Sequence, residues 1–151
     1  MVYAQLKLEN QLCFPVYAAS RLIIREYQPF LDKLEITYPQ YLVLMVLWEK
    51  ENLPVNDIAK KLILNTNTIT PLLKRMEQQG FITRKRSEND ERKVMVQLTK
   101  KGQDLKEEAA KIPEELVKRL SDGELKLDDL IKLKESLNSI ILFLSKQMHC
   151  D

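Results

Sequence analysis

Glycine, cysteine and histidine are scarce in this sequence: three, two and one residues respectively out of 151. With so few glycines and six prolines, the many tight turns of a β-sandwich are hard to build, and helices are favoured. The cysteines, Cys13 and Cys150, stand at opposite ends. They offer neither zinc-ligand spacing nor a disulfide framework, so a reducing, cytoplasmic setting without metal or cofactor is expected. His149, the only histidine, has no partner at metal-ligand spacing. No apolar run is long enough for a bilayer; the most apolar, Tyr41–Trp48, is far too short. The start, MVYAQLKLENQL, lacks the basic-then-apolar order of a signal peptide. What remains is a chain of ordinary single-domain size, 44% hydrophobic and 30% charged, able to bury a core without covalent staples.

Net charge is also small, at +2, but it is unevenly spread. Residues 74–101 carry nine basic and four acidic side chains, whereas 102–151 carry eight and eleven. A basic block between neutral or acidic arms is the footprint of a phosphate-binding surface, and taken alone is equally a solvated charged face.

Asn10 is expected to cap a first helix starting near residue 11, with Leu12, Val16, Ala19, Ile23, Tyr27, Phe30 and Leu34 at helical spacing and Pro15 close to its first turn. Thr37 caps a second helix, TYPQYLVLMVLWEK, so apolar all round that burial is required, with Trp48 closing it against the core. Pro54 bars helix before Val55, and Asn56 is expected to cap a short helix to about Leu62. Asn65 caps the next, NTNTITPLLKRMEQQG, with Gly80 as its stop. Two short helices and a tight turn make a helix-turn-helix. The period then changes to two: FITRKR and KVMVQLT alternate around the polar SENDERK, a hairpin or wing. Thr99 caps a long helix bent near Pro113, and residues 124–148 form a last helix. Its seam, Leu130, Leu133, Leu137, Ile140, Ile141, Leu144 and Met148, needs a helical partner.

A helix-turn-helix followed by a basic hairpin points to double-stranded DNA, the second helix entering the major groove and the wing reaching the flanking backbone. Thr66, Asn67, Thr68 and Thr70 are the candidate base and phosphate contacts, followed by Lys74 and Arg75. In the wing Arg84, Lys85, Arg86, Arg92 and Lys93 supply cations, and Asp90 is placed to grip the Arg92 guanidinium if the tip is strand-like.

The run IAKKL…TITPLLKRMEQQGFITRKRSENDERKVMVQLTKKG resembles the core of the MarR family, with DERKVMVQLTKKG matching its wing signature. The resemblance implies a mainly α fold with a small β wing: a single domain over 1–151, about 37–99 forming the winged helix-turn-helix lobe, and about 1–36 and 100–151 forming dimerisation arms. It further implies a homodimeric repressor on a pseudo-palindromic operator, and no enzyme. QLCFPVYAASRLIIREY and TYPQYLVLMVLWE resemble the organic-hydroperoxide-sensing (OhrR-type, SarZ- and MgrA-like) group of that family. In that group a cysteine at this place is oxidised and the repressor leaves DNA. The positions here are Cys13 with Tyr27 and Tyr38, which the resemblance draws from the other subunit, and Tyr17 one turn after the cysteine.

Geometry bears on this independently. Fourteen residues of helix put Cys13 and Tyr27 roughly 21 Å apart, on one face but out of contact within a chain. A helix start favours an anionic thiolate, the form that attacks peroxides. A cysteine among Leu12, Phe14 and Val16 is also an ordinary packing residue. Oxidation gives a sulfenic acid, to be protected, over-oxidised or captured by a thiol, either a small external one or Cys150. Besides the sensor, a regulator relieved by a small aromatic ligand, a thiol peroxidase and an architectural DNA-binding protein are the other readings.

Overall fold

A computed structural model of the chain describes residues 3–122 and 125–147. The chain divides into two compact units, residues 1–112 and 113–151. Two 3-10 turns, Ala4–Leu6 and Leu8–Asn10, lead in the first unit. The expected cap, Asn10, instead donates from Nδ2 to the Ala4 carbonyl at 2.7 Å, closing these turns on themselves. Helix α1 (Cys13–Lys33) therefore begins two residues later than expected, behind Leu12 and without a side-chain cap. Pro15 is its third residue, where the N–H has no intrahelical acceptor, so the proline sacrifices no helix bond.

Helix α2 (Tyr38–Glu49) starts at the expected Thr37 with a full capping box: the Thr37 side chain accepts from the Gln40 N–H, and Gln40 Oε1 accepts the Thr37 N–H at 2.9 Å. Strand β1 (Leu53–Pro54) is two residues long, and no period reveals so short a strand. The cap of α3 (Val55–Lys61) is Pro54, not Asn56, because the extended backbone of β1 runs directly into the helix. Helix α4 (Thr66–Gln78) has the expected Asn65 cap, accepting from the Thr68 N–H at 2.9 Å. Strands β2 (Ile82–Arg86) and β3 (Val94–Leu98) form the expected hairpin, and β1 pairs with the other edge of β3 through Leu53 and Val96. The sheet order is β1-β3-β2, all antiparallel.

Helices α1, α3 and α4 end alike. A residue at positive φ (Glu35, Ile63 and Gly80) follows the cap, and the next N–H reaches back to Leu31, Ala59 and Met76 respectively. These hooks fix the chain's exits and drive Leu31, Ile36, Ile58, Ile69, Leu72, Leu73 and Met76 into one core with Val43, Leu44 and Leu47 of α2. Thr99 caps α5 (Lys100–Asp104) as expected. The expected long helix is broken early, into α5, α6 (Lys106–Ala109) and α7 (Ile112–Ser121). The first break follows Gly102, whose carbonyl accepts the Trp48 indole N–H at 3.0 Å. A side chain at Gly102 would place Cβ 2.2 Å from the Phe81 carbonyl oxygen, so this close crossing requires glycine.

The second unit ends in α8 (Leu127–Gln147), none of whose described residues is buried. Of its expected apolar seam, Leu133, Ile140, Ile141 and Leu144 are about half exposed and Leu130 and Leu137 are partly buried; Met148 lies outside the described residues. The N-terminal half of α1 is exposed in the same way, with Val16 at 50%.

Candidate nucleic-acid interface and thiol site

The buried stripe Ile69, Leu72, Leu73 and Met76 fixes how α4 is rotated, and so which of its polar residues face outward. Thr66, Asn67 and Lys74 are exposed and Thr70 half-buried. Thr66 and Thr70, one turn apart, share a notch of about 180 Å³ with Asn56, Arg84, Arg92 and Lys93, where helix and wing meet. This notch joins two hydroxyls to the Arg92 and Lys93 cations, the chemistry of a backbone phosphate seat. Lys85 and Arg86 line the opposite side of the hairpin with Thr83 and Asn89. Thr68 and Arg75 face away from the notch, into a cavity of about 870 Å³ between α1, α2 and α4. The Thr68 hydroxyl is already donated to Asn65 Oδ1 at 3.0 Å.

Two wing residues differ from expectation. The Asp90–Arg92 side-chain grip does not form, because the tip is a turn and residues two apart do not share a face there. Asp90 Oδ1 instead accepts the backbone N–H of Arg92 at 3.1 Å, and its other oxygen stands 4.0 Å from Lys93 Nζ. Arg84 is not a free cation. Its Nε and Nη2 donate to Glu77 Oε2 at 3.1 and 2.8 Å, and its backbone N–H donates to Glu77 Oε1 at 2.9 Å. The Arg84 side chain beside Glu77 holds that carboxyl below its ordinary range. Glu77 thus pins the wing root to α4. The signal in the sequence was an acidic residue inside a basic block, seven positions before an arginine.

Cys13 is the first residue of α1 and is exposed. Tyr27 and Tyr38, eleven residues apart and on different helices, come together with ring centroids 4.9 Å apart. Tyr41 and Trp48 extend the aromatic cluster; Trp48 was expected only as a packing residue, and Tyr41 was given no role from the sequence. Burial first, then the neighbouring Tyr38 and Tyr41, pushes the Tyr27 hydroxyl up to about 12; burial also raises Tyr38, against the opposing pull of its bond to Tyr27. Both remain O–H groups at neutral pH. Tyr17 stays near Cys13 in sequence and accepts from Arg21 Nη1 at 2.8 Å, with the guanidinium also over its ring. Cys150 and His149 lie outside the described residues. Among the described residues no group of His, Cys, Asp and Glu is arranged to hold a metal, and no helix is long and apolar enough to cross a membrane.

A helix-turn-helix pinned to a basic two-stranded wing defines a winged-helix transcription regulator. The chain belongs to the SarA/Rot family of transcriptional regulators, whose family model matches residues 25–109. It is 51% identical over 139 residues, 92% of each chain, to the organic hydroperoxide resistance transcriptional regulator of Bacillus subtilis (strain 168). Among solved structures it resembles AbfR of Staphylococcus epidermidis in its reduced, DNA-bound form: TM-score 0.74, 37% identity, covering 93% of this chain and 95% of that one. Overoxidised AbfR, also bound to DNA, matches with a TM-score of 0.73. MarR of E. coli shares the fold, with a TM-score of 0.70 over 86% of this chain and 96% of that one, at 24% identity.

Proposed function

We propose that the protein is a homodimeric repressor that binds a pseudo-palindromic operator when reduced and releases it when organic hydroperoxide oxidises Cys13. The observation that carries this is the Tyr27–Tyr38 pair. The fold assembles two protonated phenols within one chain, 4.9 Å between rings, yet out of helical reach of that chain's own thiol. With the exposed apolar faces of α1 and α8 covered by a second copy, Cys13 meets Tyr27 and Tyr38 of the partner subunit. The Cys13 thiolate attacks one peroxide oxygen, the O–O bond breaks, and the alkoxide leaves as alcohol after taking a proton. The sulfur is left as sulfenic acid. A second thiol then condenses with it, releasing water and forming S–S; a small cellular thiol and Cys150 are the two sources. Overoxidised AbfR being on DNA supports the disulfide, rather than added oxygen, as the releasing state. Thr66, Asn67, Thr70 and Lys74 face the groove, and Lys85, Arg86, Arg92 and Lys93 the flanking phosphates. Half-sites are then about one turn, roughly 34 Å, apart.

The test is operator binding by wild type and Cys13→Ser before and after cumene hydroperoxide and thiol, with intact mass reporting the sulfur. Cys13→Ser stays bound; its release by peroxide overturns the proposal. The cavity between α1, α2 and α4 favours a second reading, relief by a small aromatic ligand. On that reading, Cys13→Ser retains full response to the ligand.

A further inference from the structure

Gln40 is the polar side chain that the core buries, 4% exposed among the described residues. It stands two residues after Tyr38, in the first turn of α2. Its Oε1 completes the capping box with Thr37, a task that glutamate performs equally well. Glutamate also suits a helix N-terminus better, through its charge. What only the amide supplies is a donor, and Nε2 donates to Gln79 Oε1 at 2.6 Å, across 39 residues of sequence.

Gln79 is a junction. It is the C-cap of α4, its N–H reaching the Arg75 carbonyl at 2.9 Å. Its own carbonyl accepts from Lys101 Nζ at 2.9 Å. Gly80 follows at φ +79, its carbonyl held by the Thr99 hydroxyl at 2.6 Å, and the chain then enters β2. The end of the groove-entering helix and the root of the wing are therefore both referred to Gln79.

We propose that the Gln40–Gln79 hydrogen bond links the thiol site to the DNA-reading elements, with Gln40 and Gln79 as positioning residues. When the partner's sulfur changes its contact with Tyr38, the first turn of α2 shifts as a unit, because the capping box ties Tyr38, Thr37 and Gln40 together. The buried amide carries that shift to the end of α4 and to β2, and the spacing of the two reading heads changes. The link rests on Cys13 being the sensor, so the experiment separates the two.

Gln79 is exposed, so Gln79→Met removes the acceptor without opening the core or touching the capping box. Gln79→Glu keeps an acceptor for Gln40 Nε2 and serves as the conservative rescue. Operator affinity is measured for reduced and peroxide-plus-thiol-treated protein, with Cys13 oxidation followed by intact mass. In Gln79→Met, Cys13 oxidises at the wild-type rate, while the ratio of oxidised to reduced Kd falls about fivefold, the equivalent of one neutral hydrogen bond. In Gln79→Glu the wild-type ratio returns. A wild-type ratio in Gln79→Met overturns the link alone. Oxidised wild type that stays on the operator overturns the sensor reading and the link with it.

Discussion

Arg84 separates two accounts of the wing. If it were a phosphate contact, as its place in a basic hairpin suggests, its removal would reduce the salt dependence of operator binding. The structure commits it to Glu77 through two charged hydrogen bonds, with a third from its backbone N–H. The two side chains are 21% and 36% exposed. Shielded hydrogen bonds to charged groups contribute about 1.5–3 kcal/mol and exposed pairs about 0.2–1, so this half-shielded pair stabilises by about 1–2 kcal/mol. Arg84→Gln should lower Tm by about 3–6 °C in a domain of this size. The slope of log K against log salt should stay at its wild-type value, because no phosphate contact is lost. Lys85→Gln serves as the contrast: Tm is unchanged and the slope magnitude falls by about 0.9, one phosphate's worth. Operator titrations at four salt concentrations and a thermal melt decide the matter. An Arg84→Gln protein with unchanged Tm and a slope reduced by about one would refute the pin.

The same pair sets a pH dependence. The Glu77 carboxyl is held below its unfolded value by Arg84, so its contribution is present above about pH 4.3 and is lost as pH falls through the lowered folded value. Denaturant melts of wild type and Glu77→Gln should differ at pH 7 and converge in strong acid. Tyr38→Phe and Tyr27→Phe should each slow Cys13 oxidation by stoichiometric cumene hydroperoxide by about tenfold, since on the proposed two-chain site each removes a donor to a charged sulfur. Intact-mass time courses that superimpose for all three proteins count against the two-chain site. Gly102→Ala should destabilise by about 2–3 kcal/mol, because the added methyl meets the Phe81 backbone; a wild-type urea midpoint sinks that. Ile63→Gly should stabilise by about 0.5–1 kcal/mol, relief of a positive φ outweighing the glycine's added freedom when unfolded.

What the sequence showed best was periodic or punctuated. Thr37, Asn65, Gly80 and Thr99 mark helix ends by local chemistry that a neighbour rarely overrides, and the hairpin's period of two is unmistakable between them. Asn10 misled because an amide caps 3-10 turns as readily as helices, and the competing acceptor, the Ala4 carbonyl, was six residues away. Strand β1 was invisible because two residues hold no period; β3 makes it a strand. The break after Gly102 depends on an indole 54 residues distant. The candidate DNA-reading residues were legible as a composition, but which of them already have protein partners was not. Glu77 neutralises Arg84, and Asn65 occupies Thr68, through contacts that neither charge nor spacing reveals.

The thiol site follows the same logic at a larger scale. Cys13 and Tyr27 lie on one helix, so a rigid rod holds them apart, and no rearrangement short of breaking α1 brings them together within a chain. Tyr38 reaches Tyr27 only through the turn at Glu35, whose positive φ reverses the chain after α1 and delivers α2 against it. On the proposed two-chain site, the fold places the donors Tyr27 and Tyr38 together and leaves the sulfur at the exposed start of α1. On that proposal, peroxide reactivity is a property of the dimer. A chain that has lost its partner would, on the same proposal, lose the donors to its thiol in the same event, so reactivity and the paired reading heads would rise and fall together.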